Sequence, residues 1–195
     1  METKPKLFWV PGALVGFRIV AAIVLFIDSW DRIISPWFIP LFLLAFISDI
    51  VDGMIARKLK ISKESIRKAD GIADTMLYVF LAVSALRIFT DDLLAAAIPF
   101  AILICLQATL FVTSYIKFQK APSYHGWSAK LWGLSLGITI IAIFGFHQPF
   151  PWLIICLVVG WINSIEEIAM TLVLPKWNHD IWSIFRAIEI RQESM

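Results

Sequence analysis

Charged side chains are scarce in this 195-residue chain, at 16% of residues against 59% hydrophobic. A soluble domain carries about 25% charged and about 45–50% apolar residues. A globule surrounded by water is therefore excluded, and lipid is the expected solvent. Cysteine is almost missing. Cys105 and Cys156 both lie inside apolar runs, which fits two small buried hydrophobes better than a disulfide or a reactive thiol. No Gly/Ser-rich or low-complexity tract divides the chain, so a single domain over residues 1–195 is expected, with residues 175–195 as its tail. Lys4 and Lys6 precede the first apolar run, but no A-x-A-like cleavage site follows, and that run reads as a retained helix.

Aromatic residues, by contrast, are plentiful. The 9 Trp and 15 Phe fall largely near the ends of apolar runs, where membrane-interface belts form. A spanning helix needs roughly 20 mostly apolar residues. Six runs qualify, approximately Gly12 to Ile27, Trp37 to Ile55, Ala69 to Phe89, Leu93 to Ile116, Trp127 to Phe146 and Pro151 to Leu174. Turn chemistry separates them at Ser35-Pro36, Thr90-Asp91-Asp92, Ala121-Pro122-Ser123 and Gln148-Pro149. The expected fold is all-α and membrane-embedded, with six transmembrane helices.

The basic residues orient it. With the N-terminus in the cytoplasm, only Arg32 and Arg87 of the 17 Lys and Arg fall near external loops, leaving 15 on the inner side. The loop after the second run alone holds Arg57, Lys58, Lys60, Lys63, Arg67 and Lys68, whereas Asp28, Asp31, Asp91 and Asp92 lie outside. Both termini are expected in the cytoplasm. In the tail, Trp177, Ile181, Trp182, Phe185 and Ile188 are spaced for an amphipathic surface helix, or equally for packing against protein.

Ionisable residues inside spanning segments are costly and mark function. Asp49, Asp52, Gly53 and Ala56 follow one another at helical spacing and share a face, and Asp70 and Asp74 share a face of the next helix. Because these helices are antiparallel neighbours, both acidic pairs lie at similar depth. Four carboxylates this close repel in a poorly polarisable site, and the C-terminal half of a helix disfavours negative charge. A cation must compensate. Arg57 alone is too little, and oxygen ligands suit Mg2+, Mn2+ or Ca2+ rather than zinc. Gly53 and Ala56 leave a groove on the same face, a hard metal with a nearby Arg suits a diphosphate, and a small-residue packing seam is compatible with that use. Single aspartates at helix ends are commonly caps or solvated charges; four facing one another are not.

The run Asp49-x-x-Asp52-Gly53-x-x-Ala56-Arg57, followed by Asp70-x-x-x-Asp74, resembles the signature D-x2-D-G-x2-A-R-x8-G-x3-D-x3-D of the class I CDP-alcohol phosphatidyltransferases. Pro11 and Arg18 further match a P-N-x-x-T-x-x-R-like opening segment, with Gly12 and Val15 in place of Asn and Thr. Ile66 stands where the signature has its second glycine. The resemblance implies metal-dependent transfer of a phosphatidyl group from CDP-diacylglycerol to an alcohol, with release of CMP. It also implies two Mg2+ or Mn2+ ions on Asp49, Asp52 and Asp70, with Asp74 a shared ligand or the general base. Asp49, Asp52, Gly53, Ala56 and Arg57 would line the nucleotide pocket, and the enzyme would be a homodimer. Glycerol 3-phosphate is the expected acceptor, as in the family's phosphatidylglycerophosphate synthases, in a prokaryotic cytoplasmic membrane with the site facing the cytoplasm.

A phosphorylated acceptor needs cations, and Lys130, Lys117 and Arg67 are the candidates, with Lys120 also on that side. His125 and His179 read as surface histidines, Glu166 and Glu167 as structural contacts or a dimer seam, and Gln107 as a hydrogen bond between helices. The partners expected are a CDP-linked lipid, a small alcohol and membrane lipids, with no nucleic acid. A divalent-cation transporter would place ionisable residues near mid-bilayer and on both sides of a path, whereas here they gather on one side. A catalytically silent relative is the other alternative.

Overall fold

The computed structural model describes residues 10–58, 64–124 and 126–193, without the side chains of residues 11, 52, 53, 56–58 and 64–68. The described chain is all helical and divides into two compact units, with the boundary between Thr90 and Asp91.

The first unit holds α1 (Val10–Asp28), α2 (Phe38–Lys58) and α3 (Glu64–Ile88). Partners along α1 and α3 advance together. Arg18 meets Asp70 and Asp74, Phe26 stacks near Phe80 with centroids 4.9 Å apart, and Ser29 Oγ lies 2.5 Å from Ser84 Oγ. The two helices therefore run parallel. At the turn after α1, Asp28 accepts hydrogen bonds from the Ser35 hydroxyl (2.6 Å) and backbone N–H (3.2 Å). Arg32, in the left-handed region at φ 65°, reverses the chain there.

The second unit holds α4 (Thr90–Ala95, starting at the boundary), α5 (Ala97–Phe118), α6 (Trp127–Ile140), α7 (Trp152–Val173) and α8 (Ile184–Glu193). A single apolar run from Leu93 to Ile116 was expected, but the chain breaks at Ala96. Pro99 explains the break, because its ring clashes with the carbonyl four residues back and it donates no hydrogen bond. Gln107 Nε2 donates to Ser164 Oγ at 3.0 Å, the expected bond between helices. Together with Trp161 Nε1 donating to the Pro99 carbonyl, it makes α5 and α7 parallel. Ser128 donates to Asn163 and Thr139 to the Trp152 carbonyl, so α6 runs antiparallel to α7. Past Ile140, α6 widens into a π turn over residues 141–145.

Beside the buried apolar residues, the interior holds polar groups and the outside carries large aliphatic ones. Arg18, Ser29, Ser84, Ser114, Asn163, Ser164 and Thr171 are buried, while Ile98, Ile104, Phe111, Ile116 and Ile162 are exposed. Small polar groups inside and aliphatic groups outside suit a lipid surround, in which interior hydrogen bonds hold helices together. Among the described residues, five helical stretches are long and apolar enough to cross a membrane: Gly12–Asp31, Ala69–Ile88, Ala97–Phe118, Trp127–Gly145 and Trp152–Val173. The expected second span corresponds to α2, 21 residues long, whose described residues give a shorter apolar stretch from Phe38 to Val51.

Close approach in the second unit depends on Gly160. A Cβ placed there would lie 2.8 Å from Trp132 Nε1 and 3.1 Å from a Leu103 methyl. Gly160→Val is expected to cost about 2 kcal/mol by overpacking. Melting of the detergent-solubilised protein, followed by circular dichroism, should drop by several degrees.

The tail packs on protein. Ala187 and Ile181 are buried with Leu110, Met170 and Leu174, and Ile184 and Ile190 pack against that cluster. Trp182 and Phe185 are left exposed. Glu166 Oε1 accepts the Ile184 backbone N–H at 3.2 Å, which makes it a structural contact to the start of α8.

Candidate metal centre

In the first unit three of the four aspartates predicted to meet do so, and the side chain of the fourth, Asp52, lies outside the described residues. Carboxylate oxygens of Asp49, Asp70 and Asp74 all lie within 4.8 Å of one another. Asp49 comes from α2, nine residues before its end, and Asp70 and Asp74 come from adjacent turns near the start of α3. Both α2 and α3 pack against α1, whose Arg18 lies between Asp49 on one side and Asp70 and Asp74 on the other. Asp52, Gly53, Ala56 and Arg57 continue α2 beyond Asp49, and Arg67 lies in the first turn of α3. Their side chains fall outside the described residues, as do Ile66's and all of His125.

A residue without an assigned role completes the centre. Arg18, on α1, is fully buried, and its Nη1 lies 2.8 Å from Asp70 Oδ1, 2.5 Å from Asp74 Oδ1 and 3.2 Å from Asp49 Oδ1. The carboxylates themselves keep 33–38% of their side-chain surface open. One buried cation thus sits behind a partly open acidic rim. The sequence carried a signal for it, since Arg18 is the only charged residue between Lys6 and Asp28. A lone arginine deep in an apolar run demands a buried partner.

The donor set suits a hard cation. Three carboxylates from two helices supply only oxygen, the chemistry that Mg2+, Mn2+ and Ca2+ prefer. An oxygen spacing within 4.8 Å lets them share one ion.

The remaining cation candidates lie in the second unit. Lys117 Nζ donates to the Thr171 and Leu172 carbonyls at 3.0 and 2.7 Å, satisfying the C-terminal end of α7. Lys130 Nζ lies over the Trp127 ring, 4.3 Å from its centroid. Lys120 lies similarly over Trp177, whose Nε1 donates to the Ala121 carbonyl. His179 is half-exposed, 3.8 Å from Asp180 and stacked beside Trp177, in keeping with a surface histidine. Tyr124, in the loop before α6, pairs its hydroxyl with Thr171 at 3.0 Å. Burial raises its phenol pKa above the ordinary value, and the Thr171 bond opposes that shift.

Apolar helices that gather Asp49, Asp70 and Asp74 into one oxygen-lined centre define a multi-pass membrane protein with a cluster that could hold a divalent metal. The chain belongs to the CDP-alcohol phosphatidyltransferase family, whose model matches residues 8–175. That match runs through both compact units and includes Arg18 and every signature residue. No curated protein and no solved structure matches the chain. Family membership makes it a phosphotransferase for substituted phosphate groups, acting in phospholipid biosynthesis by transferring a phosphatidyl group from a CDP-linked lipid to an alcohol.

Proposed function

We propose that the protein is a divalent-metal-dependent phosphatidyltransferase that joins CDP-diacylglycerol to glycerol 3-phosphate and releases CMP. The convergence of Asp49, Asp70 and Asp74 on one point carries this reading. In the proposal Asp49, Asp52, Asp70 and Asp74 hold two Mg2+ or Mn2+ ions. When bound, such ions neutralise a diphosphate and stabilise charge on the departing CMP.

The chain's own residues do the rest. Gly53, Ala56 and Arg57 are assigned to the cytidine-diphosphate pocket, where small residues suit a bulky ligand and an arginine suits its phosphates. Asp74 accepts the proton of the acceptor hydroxyl as that oxygen attacks the lipid-side phosphorus. The partial exposure of the Asp74 carboxylate on α3 supports this assignment. Lys130 and Arg67 supply positive charge to a phosphorylated acceptor. Lys117 is committed to the end of α7 and contributes less.

The proposal includes α2 as a sixth span whose polar end carries the site, one functional domain across both units and both termini in the cytoplasm. It further includes α8 against the inner leaflet, a prokaryotic cytoplasmic membrane and a homodimer. The basic loop after α2 supports the orientation, since positive charge is retained on the cytoplasmic face. The exposed Trp182 and Phe185 support contact of α8 with lipid.

Purified protein with Mg2+, CDP-diacylglycerol and a panel of alcohols tests the reading through CMP release. Release is expected with glycerol 3-phosphate; a folded protein that releases none with any acceptor would overturn it. With the preferred acceptor, Lys130→Met should raise KM about tenfold and leave kcat within a few-fold, because a phosphate contact is lost while the reacting centre is untouched.

A further inference from the structure

Arg18 has a geometry that the reaction itself does not call for. A single nitrogen, Nη1, contacts one oxygen from each of three aspartates on two other helices. These are the same residues whose oxygens are spaced to share an ion. The guanidinium is fully buried beneath them, so protein groups rather than water compensate its charge. Its shortest contact is to Asp74, the proposed proton acceptor.

We infer that Arg18 is the built-in counter-cation of the aspartate centre: it holds the cluster assembled when no metal is bound and competes with the divalent ion for the same carboxylates. This rests on the metal-dependent reading above and adds a resting state to it. Arginine suits the task because it cannot lose its proton and its planar fork reaches several carboxylates at once. A cluster held in this way folds before loading instead of waiting for an ion. Loading then draws carboxylate contacts away from Nη1 and releases Asp74 for its role.

Competition and simple scaffolding predict opposite signs. If Arg18 only organised the ligands, removing it would loosen the site and weaken ion binding. If it competes, removing its charge strengthens binding, even though the metal-free protein becomes less stable. Mn2+ titrations followed by electron paramagnetic resonance, on wild type and Arg18→Gln in detergent, read this directly. The account expects Arg18→Gln to bind Mn2+ roughly tenfold more tightly. Melting without metal should fall by roughly 5–10 °C, and the gain in melting temperature on adding Mn2+ should exceed that of wild type. Equal or weaker Mn2+ binding by the folded variant would overturn the inference while leaving CMP release by wild type as separate support for the phosphatidyl-transfer reading. No Mn2+ binding by wild type would overturn it as well.

If Arg18→Gln does not fold, wild type itself gives the answer. Its Arg18 guanidinium resonance, identified as the 15N signal missing from Arg18→Lys, should shift on saturation with Mg2+. A signal unmoved by Mg2+ would overturn the competition.

Discussion

Asp74→Asn is expected to reduce CMP release by about 10³-fold while the protein remains folded. Loss of a positioned proton acceptor typically costs 10²–10⁴-fold. The amide keeps the shape of the side chain but accepts no proton at neutral pH, and Arg18 retains Asp49 and Asp70 as partners. Initial rates at saturating Mg2+ with the preferred acceptor measure the effect. A base role predicts that excess Mn2+ does not restore the rate and that KM for the CDP-lipid moves far less than kcat. Full rescue by high Mn2+ would reassign Asp74 as a metal ligand alone, and a near-wild-type rate would remove it from the site.

Stripping divalent ions with a chelator should abolish turnover, by about 10³-fold or more, with recovery on adding Mg2+ or Mn2+. The helical signal in circular dichroism should hardly change. Three carboxylates on packed helices would ordinarily drive those helices apart when left without a cation. Here the buried Arg18 already lies among them, so the metal-free protein keeps its α1, α2 and α3 contacts. Turnover that persists in the chelator would contradict the metal-dependent proposal. Collapse of helical content would contradict the stabilising role given to Arg18.

Much of the site was legible because helical spacing converts directly into geometry. The intervals between Asp49 and Asp52, and between Asp70 and Asp74, place each pair on one face of its helix. Asp49, Asp70 and Asp74 duly meet. Arg18 was harder to assign because its partners lie 31, 52 and 56 residues away, and nothing local to α1 indicates which helix face meets which carboxylate. Electrostatics pointed to a missing cation, and the chain's own guanidinium is the part of the answer that spacing does not reveal.

Helix count was less secure than helix placement. Hydropathy weighs Leu93 and Ile116 as ends of one run, whereas Pro99 imposes a local steric break that ends α4 before α5 begins. Lys117 illustrates a further limit. Its charge was visible as a candidate for an anionic ligand, but its engagement with the carbonyls ending α7 depends on the parallel packing of α5 and α7.

The measurement closest to the central claim is Mn2+ binding to wild type and to Asp49→Asn, Asp70→Asn and Asp74→Asn, each purified and shown to be folded. The account predicts saturable binding to wild type, weakened about tenfold or more in every variant, because each contributes an oxygen to one shared centre. Three folded variants that hold Mn2+ as tightly as wild type would contradict it.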